Sequence, residues 1–404
     1  MQMIKRTLFS ILTVFIICLT ATSQTKILFD ATKAETAGNA DWVISNSSSP
    51  VQIPTPAQSG ITSSTSETYW VGGLSAWGVD CVKQGYYVET LPSSGQITYG
   101  VSSNAQDLSK YQVYIVCEPN IQFTATEKTA IMNFVKNGGG LFMVSDHTIS
   151  DRNNDGWDSP AIWNDFLTTN SVQVNPFGIS FDLANISETS SNLATVANDS
   201  ILHGKMGAVA KAMWSNGTTM TLNKTINSTV QGYIYKTGVS TTSTTNVMFA
   251  TAKYGNGKVA AIGDSSPCDD GTGGSGNTLY NGYTGDVGVN HEYLLMNATI
   301  WLATHTSKKT ALNDIQAENI DLRIVPNPTT NGTLTLNYTT TETTPLTVQL
   351  TDLTGKILRT WTLENNVSGT LQQTLDIADI KSGMYLCRVS TATASITKKL
   401  VVSK

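Results

Sequence analysis

Short runs of alternating apolar and polar residues fill the chain from residue 322 to its end, and they constrain the fold more than any other feature of the sequence. The apolar members recur at every second position, as at Leu334, Leu336 and Tyr338. Turn-forming pairs such as Ser382-Gly383 separate the runs. A period of two gives each strand one buried face, and close turns join neighbouring strands. The pattern predicts a small all-β, immunoglobulin-like antiparallel sandwich over residues 322–404.

Four short motifs follow one another in this region: Pro326-Asn327-Pro328, a DLTGK run at 352–356, Gly383-Met384-Tyr385 and a KKLVV ending at 398–402. Together they resemble the C-terminal sorting domain carried by cargo of the type IX secretion system of Bacteroidetes. The resemblance implies that the type IX secretion machinery is a partner of this domain and that the chain is exported. An ordinary immunoglobulin-like accessory module is the alternative interpretation.

The other end of the chain has the organisation of a secretory signal peptide. Lys5 and Arg6 precede a largely apolar run over residues 8–19, and small residues follow it. Such a run is too short for a permanent transmembrane anchor. We expect cleavage after Ser23, so that the signal peptide spans residues 1–23 and no transmembrane segment remains. The mature protein would then be secreted or attached to the outer cell surface.

Composition excludes some partners. Only 14% of the residues are charged and the net charge is −5. Binding to phosphates needs a stripe of Lys and Arg, which this chain lacks, so a nucleic-acid partner is not expected. The cysteines that would remain after cleavage are too scattered for a zinc motif or a dense disulfide framework, and small buried side chains are the expected role for most of them: Cys81, Cys117, Cys268 and Cys387.

Residues 24–305 are long enough for one large domain. Continuous apolar runs predict buried strands at 26–30, 111–117 and 141–144. A helix is expected over 124–135, because the segment opens with a capping-box pattern and repeats apolar residues at helical spacing. Alternating strands and helices are typical of an α/β fold with a doubly wound, mostly parallel sheet. A polar linker over 306–321 would join this domain to the sandwich.

Three segments of this domain resemble the class I glutamine-amidotransferase-like superfamily: 134–142, 257–264 and 297–302. The resemblance implies a flavodoxin-like fold. It does not imply glutaminase activity, because the family's nucleophilic Cys is absent at 144–148 and its His is absent at 264–267. That chemistry needs a thiolate beside a base.

A further strand is predicted at 258–262, and four predicted parallel strands each terminate in an acidic residue. In open α/β sheets the binding crevice lies outside the carboxyl ends of the strands. We therefore predict that these side chains meet at one edge: Asp30, Glu118, Asp146 and Asp264. The alternative is that each acid caps the next helix or turn.

Candidate roles at this edge fall into two groups. Asp146, His147 and Asp264 are candidate catalytic residues, since a carboxylate-oriented His or a carboxylate-held cation can activate water. The candidate ligand-binding residues are Asp30, Glu118 and Asn120.

One acidic loop has its own pattern. Residues 151–156 match the first half of a calcium loop, with oxygen-bearing side chains at alternate positions and a glycine for the turn. The bidentate Glu that completes an EF-hand is missing, so another acid must complete the shell. The candidate metal ligands are Asp151, Asn153, Asp155 and Asp158. A metal-free loop stabilised by Asx turns is the alternative, and no nucleotide or organic cofactor is indicated.

The sequence leaves two classes of function open. One is an exported protein whose amidotransferase-like domain binds a ligand or partner. The other is a secreted hydrolase that acts on glycans or peptides through Asp146, His147 and Asp264, with or without a metal.

Overall fold

The structure is a computed structural model, and it forms two compact units, Met1–His305 and Thr306–Lys404. The residues that it describes are 24–33, 42–45, 55–272, 280–304, 320–340, 345–352, 356–364, 369–390 and 395–404. The expected signal peptide and nearly all of the expected linker lie outside these ranges. Within them, no helix combines the length and the apolar character needed to cross a membrane.

Strands dominate the N-terminal unit. They are β1 (Lys26–Asp30), β2 (Tyr87–Leu91), β3 (Val113–Cys117), β4 (Gly140–Val144), β5 (Ile179–Ser190), β6 (Asn192–Leu193), β7 (His203–Gly204), β8 (Gly207–Ala208), β9 (Ala212–Leu222), β10 (Gln231–Tyr235), β11 (Val247–Tyr254) and β12 (Gly257–Ile262). The helices are α1 (Ser75–Lys83), α2 (Ala125–Lys136), α3 (Ser159–Thr169) and α4 (His291–Ala303).

Ten of these strands form one mixed sheet, with the order β2-β1-β3-β4-β12-β11-β10-β6 and with β9 and β5 attached through β11. β2, β1, β3, β4 and β12 are parallel neighbours. All the other pairings are antiparallel, from the β11–β12 hairpin to the long β5–β9 pair. β7 and β8 form a separate small hairpin.

Alternate residues of each parallel strand face opposite layers of helices. In β1, Phe29 packs in the cluster that contains Trp77 of α1 and residues of α4. Its neighbour Leu28 packs in the cluster that contains Phe134 of α2 and residues of α3. Because both faces of these strands are covered, their sequences are continuously apolar rather than alternating.

Local sequence signals account for several of these elements. The predicted capping box at the start of α2 is confirmed: the Glu127 amide donates to Thr124 Oγ1 at 3.3 Å, and the Thr124 amide donates to Glu127 Oε2 at 2.8 Å. Gly255, with φ of +57°, forms the tight turn of the β11–β12 hairpin, where a side chain would be strained.

The expected fold class is wrong. The chain is mostly β, with 36% strand against 17% helix, and the large sheet is mixed rather than doubly wound and mostly parallel. The physical reason lies in residues 179–254, where β5, β9, β10 and β11 pair antiparallel with their neighbours instead of being joined by crossover helices. β9 is an example, since residues 212–219 are extended strand.

Two sheets build the C-terminal unit. One has the order β13 (Ile320–Val325), β14 (Thr333–Thr340), β17 (Gly369–Asp376), and the other has the order β16 (Ile357–Leu363), β15 (Leu346–Thr351), β18 (Gly383–Ser390), β19 (Ser395–Val402). Leu336 and Tyr338 from the first sheet share one apolar core with Leu350 and Cys387 from the second. The alternating residues of the sequence are therefore the ones that the unit buries.

Candidate functional site

The carboxyl ends of β3, β4 and β12 are level with one another. Cys117 is in register with Val144, and Val144 is in register with Ile262. The residues that follow these strands therefore leave the sheet at the same edge, about 4.8 Å apart from strand to strand. The sequence places Glu118, Asp146 and Asp264 in these positions.

Asp146 and His147 contact each other at this edge. The Nδ1 atom of His147 lies 2.9 Å from Oδ2 of Asp146, which is an ion pair whenever the imidazole is protonated. The Asp146 side chain is 7% exposed and the His147 side chain is 20% exposed. Solvent therefore reaches the imidazole more readily than the carboxylate that it contacts.

Asp264 lies below the surface and is held by the main chain. It is fully buried, and its two oxygens accept hydrogen bonds from the amides of Ser215 at 2.5 Å and Ser266 at 2.9 Å. Burial raises the pKa of Asp264 to about 6, while these hydrogen bonds and the nearby His147 oppose the rise. A carboxyl group with this pKa can change its charge near neutral pH.

Close packing of the backbone fixes the position of Asp264. A Cβ at Gly263 would lie 2.1 Å from the Thr218 carbonyl oxygen, and a Cβ at Gly217 would lie 2.4 Å from Cβ of Asp264. Glycine is required at both positions because β9 approaches the end of β12 so closely.

Glu118 adopts an unusual backbone conformation at the end of β3. Its φ is +42°, in the left-handed region that costs a non-glycine residue about 1–3 kcal/mol. The residue is almost completely buried, its amide donates to the Val144 carbonyl at 3.1 Å, and Ser265 Oγ donates to its Oε2 at 2.9 Å. Glu118 therefore ties the end of β3 to β4 and to the turn after β12.

The carboxylate of Asp30 is engaged in hydrogen bonds with neighbouring residues. Its carboxylate accepts hydrogen bonds from Thr32 Oγ1 at 2.8 Å, from the Lys33 amide at 2.8 Å and from the Tyr114 hydroxyl at 2.7 Å. Burial raises its pKa in spite of these bonds. The side chain closes the turn after β1, as the capping alternative expects.

Asn120 connects the end of β3 to the acidic loop. It is buried, and its amide nitrogen donates to the Ser150 carbonyl at 2.7 Å. The Asn153 side-chain amide donates to the carbonyl oxygen of Asn120 at 2.8 Å. Asn120 therefore positions the loop at residues 150–153.

The acidic side chains of this loop accept hydrogen bonds from backbone amides of the same loop. Asp151 accepts from the amides of Asp155 at 3.0 Å and Gly156 at 2.7 Å, and Asp155 accepts from the Trp157 amide at 2.9 Å. Asp158 is the N-cap of α3 and accepts from the Ala161 amide at 3.1 Å. These are the bonds of an Asx-turn loop. Calcium binding at Asp151, Asn153, Asp155 and Asp158 stays a prediction.

A second acidic cluster was not predicted from the sequence. Glu67, Asp80 and Glu292 each offer a carboxylate oxygen, and these oxygens lie within 4.8 Å of one another, the one such group of three or more metal-ligand residues in the described ranges. Lys83 Nζ lies 3.2 Å from Asp80 and 3.6 Å from Glu67. No local pattern could have indicated this group, because Glu292 is more than 200 residues from Glu67 and Asp80 in the sequence.

A groove of about 470 Å³ lies between residues 95–101 and α2. Tyr99, Thr126 and Asn133 are among its lining residues. None of the residues predicted to act in catalysis, ligand binding or metal binding lines it.

Comparison with known proteins identifies the C-terminal unit. Residues 323–403 match the family described as the secretion system C-terminal sorting domain. A search of curated proteins gives no match.

Solved structures share only distant likeness with the chain. The N-terminal domain of mmIFT52 is 13% identical, with a TM-score of 0.42 over 70% of this chain and 99% of that one. A cytoplasmic protein from Salmonella typhimurium is 14% identical, with a TM-score of 0.32 over 56% of this chain and 85% of that one. Such low scores support no inference, and the glutamine-amidotransferase-like assignment has no support. The family match remains: this chain carries a type IX secretion C-terminal sorting domain and is an exported cargo protein.

Proposed function

We propose that the N-terminal unit of this exported protein binds an extracellular ligand at the sheet edge formed by Glu118, Asp146, His147 and Asp264. The observation that supports this most strongly is the 2.9 Å contact between Asp146 and His147. This contact joins a partly exposed imidazole to a buried carboxylate. It lies where the carboxyl ends of three parallel strands are in register.

Chemistry at this edge centres on His147. The Asp146 carboxylate lies 2.9 Å from Nδ1 of His147, and it pairs with the ring whenever the ring is protonated. The second ring nitrogen, Nε2, is the atom that would meet a ligand. Asp264 would support the site without touching the ligand. It is fully buried, and both of its oxygens accept hydrogen bonds from main-chain amides. Glu118 likewise acts by holding the backbone of the edge.

Hydrolysis of a glycan or peptide is the second candidate function. The observation that favours it is the electrostatic interaction between His147 and Asp264, whose pKa of about 6 suits proton exchange near neutral pH. His147 would act as the general base on a water molecule, with Asp146 orienting its ring. The burial of Asp264 counts against its direct contact with a substrate.

One experiment separates these two functions. The full protein, purified from culture medium, is tested for retention on immobilised polysaccharides and peptides and for release of reducing ends or amines from the same probes. We expect His147→Ala to lose retention while its Tm stays within a few degrees of wild type, because a partly exposed residue at the edge contributes little packing. Release of products that is lost in the variant would show hydrolysis.

Two results would contradict the proposal. Equal retention by wild type and His147→Ala would place the ligand elsewhere. Unfolding of both His147→Ala and Asp146→Ala, at a cost of several kcal/mol each, would make the pair structural.

A further inference from the structure

Ile149 combines an unusual backbone conformation with an exposed apolar side chain. It lies in the turn after β4, two residues beyond His147. Its φ is +72°, in the left-handed region that β-branched residues rarely adopt. The residue is 87% exposed, so packing within the fold does not offset the strain of this conformation. Folding alone therefore gives no reason for an isoleucine at this position.

Hydrogen bonds hold the turn in place on both sides of Ile149. The Thr148 amide donates to Asn185 Oδ1 at 2.8 Å, and Asn185 Nδ2 donates to the Thr148 carbonyl at 3.2 Å. Asn120 Nδ2 donates to the Ser150 carbonyl at 2.7 Å. Strained residues persist where their surroundings determine the conformation, and they cluster at ligand sites. The turn thus holds Ile149 in a fixed position at the sheet edge, with its side chain in solvent.

Two further exposed apolar residues belong to the segments that these hydrogen bonds join. Leu183, which is 63% exposed, lies two residues before Asn185 in β5. Ile121, which is 39% exposed, directly follows Asn120. The edge therefore carries exposed aliphatic side chains on three connected segments, with Ile149 on the central one.

The loop that follows this turn carries negative charge. Residues 151–158 begin two residues after Ile149 and contain three Asp and one Arg, a formal net charge of −2. Asp155 is exposed. A negative surface beside an apolar one is complementary to a ligand with both basic and apolar groups. A neutral polysaccharide carries no positive charge and no aliphatic side chain.

We propose that Ile149, with Ile121 and Leu183, selects the ligand of this edge: a polypeptide segment that carries an apolar side chain next to a basic one. The inference rests on the proposed function, because it names the ligand of the same edge. The apolar side chain of the ligand packs on Ile149, and its basic group faces the loop at 151–158. Because the turn is already fixed, less conformational freedom is lost when the ligand binds.

Ile149→Asn tests the role of this side chain. Asn adopts the left-handed region more readily than a β-branched residue, so relief of strain should raise the Tm by about 2–4 °C. Loss of the apolar contact should raise the Kd for the peptide ligand about tenfold. Melting curves and binding measurements on the full protein check the two changes. A fall in Tm of several degrees would show that Ile149 supports the fold, and it would contradict the inference.

The probes are immobilised short peptides that pair Leu with Arg, matched peptides with Ser in place of Leu or Glu in place of Arg, and neutral polysaccharides. Chelator is present, so that no cation changes the charge of the loop. We expect wild type to bind the Leu–Arg peptides at least about tenfold more tightly than the other probes. Ile149→Val keeps a β-branched apolar side chain and should match wild type. Val174→Asn, which changes an exposed apolar residue in the loop after α3, should also keep binding.

Two results would overturn this inference and leave the proposed function standing. One is wild-type binding by Ile149→Asn under conditions in which His147→Ala has lost binding. The other is binding of wild type to polysaccharides alone, with loss in His147→Ala, which would exclude a polypeptide ligand. Equal binding of the Leu–Arg and Ser-containing peptides would also overturn the inference, because no apolar contact would then select the ligand. If Ile149→Asn and His147→Ala both bind as wild type does, both proposals fail.

Discussion

Single acids with raised pKa values shape how the N-terminal unit responds to pH. Glu292, at the second position of α4, is the clearest case. Burial raises its pKa to about 7, the neighbouring carboxylates of Asp80 and Glu67 add to the rise, and Lys83 opposes it. The native protein therefore holds this proton more tightly than the unfolded chain does.

Replacing this one side chain tests that reasoning. The stabilising contribution of Glu292 is fully present below about pH 4.5 and is lost as the pH rises through 7. Glu292→Gln removes the titration. We expect its Tm to match wild type near pH 4 and to exceed it at pH 8 by about 2–4 °C, about 1 kcal/mol for a half-exposed position.

Calorimetric scans across this range provide the measurement. Glu364→Gln, which changes an exposed acid in the C-terminal unit, is the control and should follow wild type throughout. A Glu292→Gln profile parallel to that of wild type from pH 4 to pH 8 would contradict the account.

Elements differ in how well the sequence predicts them. β3, β4 and α2 were predictable, because continuous apolar runs and a capping box are local signals. β5 and β9 were not, because irregularities interrupt their pairing register and their stability depends on distant partners. The edge carboxylates were predictable as residues that follow strands. Their roles as hydrogen-bond acceptors required the positions of the Ser215 amide and the Ser265 hydroxyl, which no local pattern gives.

The loop at residues 151–158 is the element whose role is easiest to test. Its oxygens accept amide hydrogen bonds, and we predict that calcium also binds there. Binding to the native state alone raises stability by mass action, by about 2.7 kcal/mol at a hundredfold excess over Kd. Chelation should lower the Tm of wild type, and Asp155→Ala should remove the difference. Asp379→Ala, which alters an exposed acid elsewhere, should keep it. Identical melting curves of wild type with calcium and with chelator would show that no calcium binds.

At the scale of the molecule, the two units have different roles. The C-terminal unit carries the sorting signal, and the sequence predicted it well because its sandwich depends on period-two alternation and ordered motifs. The N-terminal unit carries the candidate site, and its fold class could not be predicted, because the choice between parallel and antiparallel partners for β9, β10 and β11 depends on the whole sheet.

Removal of residues 322–404 tests the central claim, that this chain is cargo for type IX secretion. The full and truncated proteins are expressed in a host with this secretion system, and each is quantified in medium, outer-membrane and periplasmic fractions. We predict that the full protein reaches the surface or medium, and that the truncated protein stays in the periplasm as a folded, protease-resistant N-terminal unit. Normal appearance of the truncated protein outside the cell would contradict the account.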